Sequence, residues 1–181
     1  MSTALTFTDK KLVDSTLVAP DGAVHYTTST DKGFMGRKTT TISAASGLVG
    51  LINWRKKVFV INGVQQSWED LKQRSNGIFS SEREWHWGSR SYKLKFQNSN
   101  KELLATPTFS GVAGTVRFTT FQPHLFHQNQ HAAIHFPHEI QDEIERMFLL
   151  MAILQMEIHR QDQLDNATAT NATMVQAAAN Q

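Results

Sequence analysis

Five histidines fall within a short stretch near the C-terminal third of the chain: His124, His127, His131, His135 and His138. Their separations of three, four, four and three residues would stack the imidazoles on one side of a helix. Imidazoles at i and i+4 can share a zinc, copper or nickel ion. His124, His127, His131 and His135 are therefore the candidate metal ligands. The same stretch also reads as a polar surface loop. Pro123 and Pro137 bound it, and no carboxylate lies inside to complete a His/carboxylate set.

A second candidate chemistry is charge. Arg55-Lys56-Lys57 sits between two apolar segments, and Arg90, Lys93 and Lys95 occur later on an alternating stretch. Together they make a candidate basic patch, with Arg55, Lys56, Lys57 and Arg90 as its ligand-binding residues. The competing reading is a solvated strand edge, where lysine discourages sheet-to-sheet pairing. Trp54, Trp68, Trp85, Trp87 and Tyr92 offer a third chemistry, stacking on a sugar or a base. They serve equally well as core.

Catalytic patterns are missing. The chain has no Gly-x-Ser-x-Gly, no phosphate-cradling glycine loop and no His-Glu-x-x-His. It has no cysteine, which removes disulfides, thiolate catalysis and cysteine-based zinc sites. Eighteen Lys and Arg against sixteen Asp and Glu leave a net charge of +2. That surplus is too small to argue for nucleic acid. The N-terminus has no apolar run of signal-peptide length, so a cytoplasmic location is expected.

The elements that must position these residues are mostly strands. Residues 5–120 show short β-type runs punctuated by Pro20-Asp21-Gly22, Asn62-Gly63 and Gln97-Asn98-Ser99-Asn100. Tyr92, Leu94 and Phe96 alternate with Lys93 and Lys95, the mark of a half-buried strand. Ser67 followed by Glu69 and Asp70 predicts one capped helical turn. Consecutive strands without intervening helices favour an antiparallel sheet or barrel over a βαβ fold. Near the end, Met147–Ile158 is apolar almost all round. Twelve residues reach roughly 18 Å, too short for a hydrocarbon core of about 30 Å. This helix must be enclosed by its own domain, with Pro137 in its first turn. Residues 162–181, mostly Ala, Thr, Asn and Gln, read as a low-complexity tail.

The order of features carries a resemblance. Leu5-Thr6-Phe7, Pro20-Asp21-Gly22, His25-Tyr26 and Arg37–Ile42 come first. Ile52-Asn53-Trp54, Trp85-His86-Trp87, Tyr92-Lys93-Leu94, Leu104-Ala105 and the closing apolar helix follow. This resembles an uncharacterised family abundant in mushroom-forming fungi, which looks like a member of the tubby C-terminal-like folds alongside LURP-one proteins and scramblases. The resemblance spans roughly residues 5–160. It implies a closed antiparallel β-barrel of about a dozen strands around a central helix near residues 138–160, in a single domain over residues 1–161. It supplies no catalytic residues. It does imply that a basic patch on the barrel binds phosphoinositide head groups.

The leading expectation is a non-enzymatic binding or scaffold module for lipid head groups or a protein, peripheral at a membrane, with no transmembrane segment. Two readings stay open beside it. One is a metal-binding protein or small metalloenzyme using residues 124–138. The other is a carbohydrate-binding defence lectin using exposed tryptophans. No cofactor is expected beyond a divalent transition metal at the histidines.

Overall fold

A computed structural model describes residues 2–34, 36–74, 82–108, 114–122 and 130–179, with side chains as far as residue 167 except that of residue 74. The first half of the chain folds into β1 (Thr3–Phe7), β2 (Ser15–Val18), β3 (Val24–Gly33), β4 (Gly36–Ala44), β5 (Val49–Asn53), β6 (Val58–Ile61) and β7 (Val64–Ser67). A helical turn, α1 (Trp68–Leu71), leads to β8 (Lys72–Arg74), β9 (Arg83–Trp87), β10 (Arg90–Gln97), β11 (Glu102–Pro107), β12 (Val116–Thr119) and β13 (Ala133–Phe136). The last element is α2 (Glu143–Ala179).

Local chemistry explains most of these strands. In β10, Tyr92 and Leu94 are fully buried while Lys93 and Lys95 face out, so the pleat sorts the two chemistries. Asn62 and Gly63 both take positive φ, 49° and 80°, and close the two-residue hairpin between β6 and β7. Such a turn matches strand twist only when both central residues reach that region.

The described strands form one antiparallel sheet in the order β7-β6-β5-β4-β3-β2-β1-β13-β12-β11-β10-β9-β8. The His-rich stretch that read as a polar surface loop therefore contains a strand, β13. β13 pairs with β1 (Thr3 opposite Phe136) and with β12 (Arg117 opposite His135), and so joins the two meanders.

The sheet is not the closed barrel that the resemblance implied. β7 and β8 are its edges, joined through the chain by α1, which touches β7, β8 and β9. Ser67 caps α1, its Oγ accepting from Asp70 N at 3.1 Å. Backbone committed to a helical turn cannot also supply a ladder between two edges. Both edges are short, four and three residues, which limits pairing with another chain.

α2 begins at Glu143, later than a start around Pro137 would place it. The chain first completes β13 and turns at Pro137, whose carbonyl accepts from Ile140 N at 3.2 Å. Asp142 then caps the helix, its Oδ1 accepting from Ile144 N at 2.9 Å. Every residue from Met147 to Leu154 has 0% exposure. Strands from both halves of the sheet, β5 and β6 on one side and β9 and β11 on the other, pack on α2. The sheet must therefore curl about the helix. Gly50 marks the tightest approach: a Cβ there would lie 2.7 Å from Met147 Sδ and 3.0 Å from Met151 Sδ. The helix then continues through residues 162–179.

Candidate functional site

α2 leaves the sheet beyond Ile158, and the elements around that exit surround adjoining clefts that share Gln155 and His159. The largest, about 540 Å3, is lined by Lys57, Trp68, Glu69, Lys72 and Arg83 besides those two. Its neighbour, about 370 Å3, is lined by Gly36, Arg37, Trp54, Trp68 and Asp162 with the same pair. The β5–β6 turn delivers Lys57. Asn53 Oδ1 accepts from Lys56 N at 2.9 Å, and Lys57 takes φ 54°. A non-glycine residue in that region is held there by its surroundings. Here Lys57 O accepts from Trp68 N at 2.8 Å and ties the turn to α1.

Lys72 is the centre of this arrangement. It follows α1 directly and pairs across the sheet with Trp85. Its Nζ lies 4.7 Å from the Trp85 ring centroid and 5.9 Å from that of Trp68. Burial, then the nearby charges of Arg83 and Lys57, push its pKa below the usual lysine value of 10.5. No carboxylate pairs with it among the described residues. Two of the carboxylates nearby are committed elsewhere. Asp162 holds Arg37 through two bonds, 2.9 and 3.0 Å, and Glu157 holds Arg160 through two of 2.7 Å. Glu69 is exposed. The indole N–H of Trp68 is buried and has no acceptor among the described residues.

The sequence candidates divide. Lys57 lines the cleft, while Arg55 and Lys56 are exposed on the same turn. Arg90 is elsewhere. It pairs with Glu145 and, at 3.6 Å, with Asp142, at the start of α2. Residues 145 and 155–159 are ten to fourteen positions apart, roughly 15–21 Å along a helix. At that other end Glu145, 4% exposed, also accepts from the Tyr92 hydroxyl. Lys93 pairs with Glu82 at 2.9 Å on the outer face. Trp85 is fully buried and Trp54, Trp68 and Trp87 are packed against the core. Trp54 Nε1 donates to Thr40 Oγ1 at 2.8 Å.

His124 and His127 lie outside the described residues. His135 is exposed on β13, and His131 is exposed four residues before it, its ring edge-on to Phe121. An extended chain separates positions four apart by about 13 Å, so the helical stacking of these two imidazoles is not formed. Among the described residues, no group of three or more His, Asp or Glu side chains is placed to hold a metal ion.

Lys72 and Arg83 were not singled out as site residues from the sequence. The one available signal was a lysine directly after a capped turn; its cross-strand partner is thirteen residues away.

The chain belongs to DUF6593, a family of unknown function. The match covers residues 10–160. No curated protein and no solved structure matches the chain. Neither a tubby-like fold nor a fungal source receives support from these comparisons. The DUF6593 region contains Lys57, Trp68, Lys72, Arg83, Gln155 and His159, and it ends before Asp162. No helix among the described residues is long and apolar enough to cross a membrane.

Proposed function

We propose that this DUF6593 domain is a non-enzymatic binding module whose cleft at the α2 exit holds an anionic, phosphate-type group. The observation that carries this reading is Lys72, a desolvated cation beside Arg83 and Lys57 without a carboxylate partner among the described residues. Cations held together in a partly buried cleft lower their mutual repulsion when an anion enters. The tryptophan faces suit an apolar portion of the same ligand.

Titration calorimetry with inositol hexakisphosphate at low salt tests the reading. Wild-type protein is expected to bind. Lys72→Gln is expected to lose about tenfold or more in affinity, since a hydrogen bond to a charged group contributes about 1.5–3 kcal/mol. Equal affinity in the two proteins, with both folded by circular dichroism, would sink the proposal.

A further inference from the structure

The β3–β4 hairpin reaches past the neighbouring β4–β5 pairing, which ends at Thr39 opposite Asn53. At its tip stands Phe34, 106% exposed. A lone exposed aromatic means little. The setting of this one is unusual. Gly33 pairs with Gly36, whose φ is 95°, so the turn is tight and Phe34 is held at its apex. The Arg55 guanidinium packs so closely on Gly33 that an added Cβ would meet Nη2 at 2.5 Å. The hairpin tip and the β5–β6 turn therefore act as one surface.

That surface is strongly basic. Residues 31–38 and 54–57 carry six cations, Lys32, Arg37, Lys38, Arg55, Lys56 and Lys57, against one acid, Asp31. Asp14 sits 4.0 Å from Lys32, and Asp162 neutralises Arg37. Lys38, Arg55 and Lys56 are exposed and form no ion pair among the described residues. Gly36 and Arg37 line the neighbouring cleft, which shares Trp68, Gln155 and His159 with the cleft that holds Lys72, so the tip and the anion site are on the same end of the domain.

We infer that this end of the domain docks on an anionic lipid bilayer, with Phe34 entering the headgroup region and the ring of cations lying against the lipid phosphates. The inference deepens the proposed function and rests on it for the source of the anion in the cleft. An aromatic side chain favours the membrane interface, and cations around it gain from an anionic leaflet. Neither contribution alone is large. Their coincidence at one apex gives the surface both an anchor and an orientation.

Flotation with vesicles of phosphatidylcholine alone, or with phosphatidylserine added, tests this at low and high salt. Wild-type protein is expected to float with the anionic vesicles only, and less at high salt. Phe34→Ser is expected to lower partitioning about tenfold while leaving inositol hexakisphosphate affinity unchanged. The chain has no cysteine, so Phe34→Cys accepts a single environment-sensitive dye, which is expected to shift blue on anionic vesicles. Val64→Cys, on an exposed residue at the far β6–β7 turn, is expected to show no shift. No flotation at low salt, equal flotation of wild type and Phe34→Ser, or a silent dye at position 34 on bound vesicles would each overturn the docking. So would binding to polyglutamate without binding to vesicles, which would point to an acidic protein instead. Flotation that depends on Phe34, without soluble-anion binding, would keep the docking face and remove the cleft reading.

Discussion

Lys72 is harder to charge in the folded protein than in the unfolded chain, because burial, Arg83 and Lys57 all oppose its positive charge. Below its lowered folded pKa both states hold the proton, and the folded state carries a constant penalty. As pH rises from that folded pKa toward 10.5, the folded state releases the proton first and the penalty disappears. Lys72→Met is therefore expected to be more stable than wild type at neutral pH, by about 0.5 kcal/mol after loss of the cation–π contact with Trp85. The gap is expected to close toward pH 10.5. Urea denaturation at both pH values measures it, and a gap that does not narrow would contradict the burial account. A residue that costs stability in order to hold a charge fits a binding role. The residues themselves were readable in part. Arg55, Lys56 and Lys57 announced a basic turn. The neighbours of Lys72 did not, because Trp85 and Arg83 reach it across a strand pairing rather than along the chain.

At the scale of the element, α2 is the clearest case of sequence dictating structure. An apolar surface on every side of Met147–Leu154 leaves burial as the only stable outcome, and each residue there is at 0% exposure. Burying one leucine side chain contributes about 2 kcal/mol. Leu150→Asp and Leu154→Asp each replace that gain with an unpaired buried carboxylate, a loss that exceeds the stability of a typical domain of this size. Both variants are expected to be unfolded or insoluble, as read by circular dichroism and size exclusion. A folded, monodisperse Leu154→Asp would show that α2 is not the core. β13 shows the opposite. Its four residues follow a His- and Gln-rich stretch and carry a weak pattern, Ala-Ile-His-Phe. Their partners on β1 lie about 130 residues earlier in the chain. Pairing at such distance leaves no local trace, and the stretch read instead as a polar surface loop.

At the scale of the molecule, the two tyrosines report on global integrity. Burial, followed by the Glu143 charge and opposed by Arg146, pushes Tyr26 up to about 12. Burial, then a hydrogen bond to Glu145 and its charge, push Tyr92 upward too. Both folded values lie above the unfolded value of 10.0. The stability they lend is complete below pH 10 and is lost as pH rises through the folded values. Tyrosinate absorbance is therefore expected to appear together with the loss of far-ultraviolet circular dichroism, above pH 10. Titration near pH 10 with the fold intact would show that the two side chains are not enclosed. Enclosure here comes from a curled open sheet rather than a closed barrel. A single capped turn, α1, decides that difference by standing between the edges β7 and β8, where it also places Trp68 and Lys72 at the mouth of the cleft.

The sequence alone determined the β-rich class, the run of hairpins, the capped turn at Ser67 and the burial of the C-terminal helix. Each follows from periodicity or turn chemistry within a few residues. The tertiary structure alone decided the order of strands, the insertion of β13, the open edges and the company that Lys72 keeps. Those depend on which distant backbone groups satisfy one another and on which charges burial brings together. Local pattern carries no energy term for either.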